Sequence, residues 1–596
     1  MFSCVIPEKS GIQVWVCPCH TTCGRLLLWY MNSETKVCQN CKTSFTIGSE
    51  DFAFYEKIKV PPPTFCPECR FQRRLLFRNE RNFYKRDCDL CGKSVVSRVS
   101  PEKKYPMYCK DCWWSDQWSP YTYGKEYDFS RSFFEQWNEL FISVPHISIF
   151  NSNCINSDWV NQETDDKNCY LNVGGFGNED SAYNTYQIAG KNCFDNYWLL
   201  NSDVCSNNVH CERCFSVHFS LECHDSMNTL FSYDCRNCNN VIGCAGLRNK
   251  QYCIFNEQYT KDEYEAYLME HPYSSYTGLL WWKEKSQSVW NKSPHRENTI
   301  FKCDNVSGNA LSESKNAHDS WESTKLENCK HMYISGWIRD SYDCSCFGAA
   351  ELTYECSSSG GGYDSKFLLF CLSNEPLKKM TIVNVEYSAE TTSSSNCFGC
   401  VGIRGAEYVI LNKRYSKEEY MELLPKIKAH MMEMPYIDSK GREYRYGEFY
   451  PAEFSPFGYN ETTAPDIFPL TKEQAIQSGY GWSEYVSDIQ HQFSDYVLPD
   501  AIADVGDDVL EKILKCEETG KAFRIIPGEL AFYRKVRLPL PRRAPLARHK
   551  DKLHMLLPTK LYDRTCDFCK KNIRTAYALE RPEVVYCESC YQKEVI

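Results

Sequence analysis

Four Cys-x-x-Cys pairs, Cys38/Cys41, Cys66/Cys69, Cys88/Cys91 and Cys109/Cys112, fall within 75 residues of this chain. Two residues between thiolates let one tight turn aim both sulfurs at a single ion, and two such turns complete a tetrahedral Cys4 site. Spacing alone permits consecutive pairing or a cross-brace of first with third and second with fourth. The far end of the chain decides between them. Laid over the sequence 478 residues later, the stretch recurs without a gap: Phe45, Ile47, Ala53-Phe54-Tyr55, Lys57, Pro67 and Arg70 return as Phe523, Ile525, Ala531-Phe532-Tyr533, Lys535, Pro545 and Arg548. In that copy Thr519, Ala544 and Ala547 replace Cys41, Cys66 and Cys69, while Cys566, Cys569, Cys587 and Cys590 all remain. Joint loss of the first two pairs and joint retention of the last two fits consecutive pairing. The expectation is three structural zinc sites, each filled by four thiolates and so without an open catalytic position.

The charge is unevenly spread. Residues 31–120 carry 16 Lys and Arg against 11 Asp and Glu, and residues 516–596 carry 17 against 10, although the whole chain is −10. An acidic body thus lies between two basic ends, an asymmetry that suggests a polyanionic partner. No apolar run approaches the roughly 18 residues of a spanning helix, so no membrane partner is expected. With 36 cysteines in 596 residues, many of them outside the pairs, and no secretory leader pattern, a reducing, cytoplasmic location is expected.

Between the ends, Cys193, Cys205, Cys214, Cys223, Cys235, Cys244 and Cys253 recur at spacings of 12 or 9, and Asn-Cys or Asp-Cys steps abound. Such regular short spacing points to a mainly β fold, a cysteine-rich right-handed parallel β-helix with one cysteine per turn and Asn ladders at the turns. The body is doubled: Gly243-Cys244-Ala245-Gly246 and Tyr252 return as Gly399-Cys400-Val401-Gly402 and Tyr408. Each repeat ends in a capping box, Thr260 with Glu263 and Ser416 with Glu419, leading into a helix expected to cover the strand edges. Cys211/Cys214, Cys235/Cys238 and Cys397/Cys400 read as a buried ladder more readily than as metal ligands. His210, His218 and His224 read as surface or core residues.

At Cys38-Gln-Asn-Cys41, Ser44-Phe45-Thr46, Asp51-Phe52-Ala53-Phe54-Tyr55 and Phe65-Cys66-Pro67-Glu68-Cys69-Arg70, the sequence resembles the small bacterial "probable zinc-ribbon" family. The resemblance covers roughly forty residues and implies a fold rather than a function. The whole layout looks like a group of zinc-ribbon, cysteine-rich repeat proteins of candidate-phyla bacteria. Those begin just before the first pair, which makes Met31 the expected start and places Cys4, Cys17, Cys19, His20 and Cys23 in an upstream extension. The expected divisions are that extension (1–30), a double zinc-ribbon module (31–120), a linker with a helix (121–150) and a first solenoid repeat with its capping helix (151–272). A linker (273–299), a second repeat and helix (300–432), an aromatic connector arm (433–515) anchored by Phe457, Tyr459 and Phe468, and a degenerate second zinc-ribbon module (516–596) complete the chain.

No dinucleotide, P-loop or nucleophile-elbow motif stands in a strand-to-helix setting, so a non-enzymatic binding protein is the expectation. Arg70, Arg73, Arg74, Arg78, Arg81, Lys85 and Arg86, interleaved with Phe71, Phe77, Phe83 and Tyr84, form a basic aromatic stretch, and Arg542, Arg543 and Arg548 repeat the idea. Cations bind phosphates and exposed rings stack on bases, which makes RNA or a ribonucleoprotein the first candidate partner. The bland alternative is that these arginines pair with the protein's own acidic body. A protein-interaction scaffold using the solenoid surface is the second functional reading, and a β-helix carbohydrate-active hydrolase the weakest.

Overall fold

Through most of the middle of the chain, strands pair in parallel at one constant offset. The structure, a computed structural model, describes residues 33–345, 347–372, 379–485 and 492–596. The expected upstream extension, with Cys4, Cys17, Cys19, His20 and Cys23, lies outside the described residues. The fold is mainly β, with parallel sheets in the middle and shorter helices around them. Asn161 pairs with Val173, Thr185 with Tyr197, Tyr197 with Val209 and Met227 with Asn239, each twelve residues on. Gly308 with Ser320, Thr324 with Gly336 and Ser395 with Glu407 keep the same offset in the second half. One interruption widens it to twenty, where Lys366 pairs with Glu386 and Leu369 with Ala389.

Within each twelve-residue rung the backbone repeats every three residues. From Gln162 to Phe255 every third residue has a positive φ, and the residue after it is buried at nearly every step. L-residues resist the left-handed region, Asn and Asp least, which explains why these two crowd the sequence. The Asn-Cys and Asp-Cys steps are this unit: Asn168, Asn192, Asp234 and Asn237 are left-handed, and Cys169, Cys193, Cys235 and Cys238 after them are buried. The expectation of one cysteine per turn is therefore corrected. Spacings of 9 and 12 are both multiples of three, so cysteines twelve apart share a column and those nine apart do not. In the repeated glycine motif, Gly243 and Gly399 occupy the same left-handed position, and a Cβ on Gly243 would stand 2.5 Å from the Phe255 ring.

Small polar side chains line the rungs because each satisfies neighbouring backbone. The Cys205 thiol donates to the carbonyls of Asp203 at 3.3 Å and Cys214 at 3.7 Å, and the Ser226 hydroxyl does the same toward His224 and Cys235. An interior Asn ladder runs through Asn172, Asn184, Asn196 and Asn208. The Asn196 amide donates to Asn184 Oδ1 at 2.9 Å and to the Cys205 carbonyl at 3.1 Å, while its own Oδ1 accepts from the Asn208 N–H at 3.0 Å. Asn196→Ala would strand these buried partners, with an expected loss of about 2–4 kcal/mol in chemical unfolding. Replacing exposed Lys250, which does not sit at a left-handed position, with Ala should cost under about 0.5 kcal/mol.

Helices mark the ends of the halves. The first module contains α1 (Ser49–Lys57) and α2 (Pro67–Leu75); α3 (Phe133–Ser143) precedes the first half, and α4 (Lys261–Glu270) and α5 (Tyr276–Lys292) follow it. α6 (Lys417–Glu433) follows the second half, and the last module contains α7 (Pro527–Val536) and α8 (Pro545–Met555). Thr260 and Ser416 form the expected capping boxes of α4 and α6. The last rung of each half is edged first by a short antiparallel return, Glu257–Gln258 or Lys413–Arg414, and the helix then packs on it through Tyr264 against Tyr252 or Tyr420 against Tyr408. In the connector, Phe457 and Tyr459 are buried and Phe468 lies 5.5 Å from Phe71, so the arm wraps α2.

The two ends of the chain pack on its middle, in part crosswise. Phe54 of α1 stacks on Tyr342 of the second half at 3.9 Å, and Phe532 of α7 lies 4.5 Å from Phe194 of the first half. Arg70 pairs with Asp343 at 2.8 Å, and Arg548, 478 residues later, pairs with Asp195 at 2.8 Å. Arg404 sits 5.1 Å over Trp113, and Arg248 reaches the Tyr591 hydroxyl at 3.5 Å.

Candidate metal centres

Each candidate centre combines one hairpin with one helix start. The turn joining Glu34–Val37 to Ser44–Ile47 carries Cys38 and Cys41, and Cys66 is the N-cap of α2. Cys88 and Cys91 lie in the turn between Tyr84–Asp87 and Ser94–Ser97, with Cys109 capping Lys110–Trp114. Cys566 and Cys569 lie between Tyr562–Thr565 and Asn572–Thr575, with Cys587 capping Glu588–Val595. A helix N-terminus favours an anionic thiolate, so the local fold prepares the ligands.

Three sets result: Cys38, Cys41, Cys66 and Cys69; Cys88, Cys91, Cys109 and Cys112; and Cys566, Cys569, Cys587 and Cys590, with the sulfurs of each set within 4.8 Å of one another. Consecutive pairs come together, as the loss pattern of the second copy implied. Metal–thiolate bonds of about 2.3 Å at a tetrahedral angle set two sulfurs about 3.8 Å apart. Cys41 and Cys66 are 3.7 Å apart, Cys91 and Cys109 3.9 Å, and Cys569 and Cys587 3.7 Å. Amide N–H groups of Cys66, Cys109 and Cys587 each donate to the first cysteine of their set at 3.2 Å.

Ionisation is shared unevenly within each set. Burial raises Cys88, but the N–H groups of Cys109 and Cys91 bring it down to about 7, whereas burial and its neighbouring thiols push Cys112 up. The Ser589 hydroxyl helps bring Cys587 to about 6, while burial and the adjacent thiols raise Cys590 to about 12. Four crowded sulfurs ionise together only around a cation, so the donor chemistry fits a bound metal ion. The lost fourth set keeps its turn: the Cys516 N–H donates to the Lys521 carbonyl as the Cys38 N–H does to Thr43. Buried Ala544 and Ala547 there pack with Leu514, Phe523 and Leu540 where metal ligands would stand.

The arginine stretch is turned inward. Arg70, Arg73, Arg74 and Arg78 are all buried. Arg70 donates to Asp343 Oδ2 at 2.8 Å and to the Phe65 carbonyl, and Arg74 donates to Asp343 Oδ1 at 3.0 Å. Arg73 bridges Glu355 at 2.8 Å and Glu448 at 3.1 Å with its guanidinium 4.2 Å over the Phe65 ring. Arg78 pairs with Glu80, Arg81 with Asp466, and Arg86 donates to the carbonyls of Lys103 and Tyr105. Of the seven cations only Lys85 is exposed. Phe77 is buried, and Phe71, Phe83 and Tyr84 are half-buried. In the second copy Arg548 bridges Asp195 and Glu529, Arg543 meets Glu518 and Asp551, and Arg542 lies 4.2 Å over Tyr276. These guanidinium groups therefore occupy the bland alternative stated above, pairing with the protein's own carboxylates.

The remaining sequence candidates are structural too. Cys211, Cys214, Cys235, Cys238, Cys397 and Cys400 are buried, and their thiols donate to backbone carbonyls. Among the described residues only the three Cys4 sets group as metal ligands. His218 is buried against Ser206, and burial lowers it to about 3. His210 joins the halves: burial opposes its charge, but Glu322 at 2.6 Å and Glu222 at 3.1 Å raise it to about 10. His224 lies beside Glu212 and Glu222. This junction had no sequence signal, because its members are 112 residues apart.

Fold and centres together define a mainly β, cysteine-rich protein with three tetrathiolate sets able to hold metal ions. Comparison of the chain with protein-family models and with curated proteins returns no match. No helix among the described residues is long and apolar enough to cross a membrane.

Proposed function

We propose that this chain is a non-enzymatic interaction scaffold: a duplicated, right-handed parallel β-solenoid clasped at both ends by zinc-ribbon modules holding three structural zinc ions. Four thiolates in tetrahedral array suit zinc, the usual ion of closed structural Cys4 sites, with iron the competing ion for the same donors. The twelve-residue offset supports stacked turns, and the crosswise contacts made twice, Arg70 with Asp343 and Arg548 with Asp195, support doubling of a module-plus-body unit. The observation that carries the scaffold reading is the inward commitment of the arginines: the basic stretches are clasps on the acidic body. Outward surface is left for a protein partner, including exposed Phe215 and Met227, neighbours one rung apart that continue the column running through Lys167, Glu179, Lys191 and Asp203.

The test is a titration of the zinc-loaded full chain with labelled single-stranded RNA at low salt. The scaffold reading expects no binding whose affinity falls steeply with salt, because the internal pairs would have to open first. A log–log salt slope of about 0.7 per phosphate over several contacts would instead return the basic ends to an RNA-binding role.

A further inference from the structure

In all three sets the exposed sulfur is the second cysteine of the first pair: Cys41, Cys91 and Cys569 are exposed, and the other nine ligands are buried. The first cysteine of each set accepts an amide N–H at 3.2 Å, which spreads its negative charge and slows attack on electrophiles. Among the described residues, the contacts of Cys91 and Cys569 are with the Cys109 and Cys587 sulfurs. Each exposed sulfur also faces the same partner, the cysteine that opens the second pair, at 3.7–3.9 Å.

The Ser589 hydroxyl lies 3.3 Å from Cys587 Sγ, but the Cys38 set is pinned at more points. The Thr43 hydroxyl lies 2.8 Å from Cys41 Sγ, and Asn40 donates to Cys69 Sγ at 3.2 Å while its Oδ1 accepts from Arg442 at 2.9 Å. Gln39 exchanges two hydrogen bonds with the Glu443 backbone, and Cys38, Cys66 and Cys69 belong to the largest apolar cluster. The other two sets sit in small clusters of their own.

We propose that Cys91 and Cys569 are oxidation sites through which a small disulfide expels the metal from two centres while the Cys38 centre keeps its ion. The inference rests on the zinc reading above. The Cys91 thiolate attacks one sulfur of glutathione disulfide, forming a mixed disulfide and releasing one glutathione thiolate. Cys109 then attacks the Cys91 sulfur, forming the Cys91–Cys109 disulfide and releasing the second glutathione thiolate. Two cysteine thiolates are oxidised, one glutathione disulfide is reduced to two thiolates, and a centre left with two sulfurs loses its ion. Cys569 and Cys587 follow the same course.

The experiment uses the full chain, with zinc per chain measured first; a starting count below three rejects the zinc reading rather than this inference. Glutathione disulfide is added, released zinc is followed with a chromogenic chelator, and disulfides are mapped by mass spectrometry. Two ions should leave per chain, with Cys91–Cys109 and Cys569–Cys587 bonds, and Thr43→Val should speed loss of the third ion several-fold. Disulfides inside the Cys-x-x-Cys pairs, loss of all three ions at one rate, an unchanged third ion in Thr43→Val, or mixed disulfides confined to half-buried Cys154 and Cys303 with zinc retained would each overturn the proposal.

Discussion

Chelating the metal from the reduced full chain is expected to unfold the Cys88 and Cys566 centres before any rung of the middle opens. Their own cores are small: Cys88, Cys109 and Cys112 pack with Tyr108, Trp113 and Ile147, and Cys566, Cys587 and Cys590 with Ile573, Tyr577 and Val585. Half of each cluster is candidate ligand, so a bound ion would supply most of the organisation. Structural zinc in small peptide modules contributes on the order of 10–16 kcal/mol at neutral pH, more than such clusters replace. Hydrogen exchange should therefore show early loss of protection at Tyr84–Asp87, Ser94–Ser97, Tyr562–Thr565 and Asn572–Thr575 after chelation. Elemental analysis before chelation should find close to three zinc ions per chain. Fewer than one per chain, or hairpins indifferent to chelation, would reject metal as their organiser.

Asp343→Ala should be the most damaging single substitution in the middle of the chain. Asp343 is buried between Arg70 and Arg74, and its removal leaves two buried guanidinium groups short of a counter-charge. Breaking a buried pair in this way costs about 3–5 kcal/mol, whereas exposed Lys325 with Glu313 should contribute under about 1 kcal/mol. Burial opposes the Asp343 carboxylate, yet Arg70 and Arg74 hold it at about 2, below its ordinary value near 4. Because the folded value is the lower one, its contribution is present above about pH 4 and is lost as pH falls through 2. Denaturant midpoints of wild type and Asp343→Ala should converge below that window and separate above it.

The metal ligands were legible because their chemistry is local: two residues between thiolates is a property of one turn, and the second copy showed which pairs belong together. The body was legible only in outline. Spacings of 9 and 12 announced regularity, but the three-residue unit beneath them is a backbone property, and Asn168 or Asn192 declare it only once their φ is known. The arginine stretch misled for a different reason. Arg70, Arg73 and Arg74 read as a polyanion surface because Asp343, Glu355 and Glu448 lie some 270–380 residues away, and no local pattern connects them. Net charge by segment, with basic ends and an acidic middle, carried both readings equally.

The clasp is tested most directly by a double-mutant cycle on Arg70 and Asp343 in the zinc-loaded full chain. Arg70→Met, Asp343→Leu and the combined variant would be compared with wild type by denaturant unfolding under reducing conditions. The account predicts a coupling of about 2 kcal/mol or more, the range of contacting residues in one buried ion network, with the double variant recovering only the part of the Asp343→Leu loss that Arg70 causes, since Arg74 stays short of its counter-charge. A coupling near zero would mean that Arg70 does not hold the module to the body, and would contradict the claim that the basic helix faces inward.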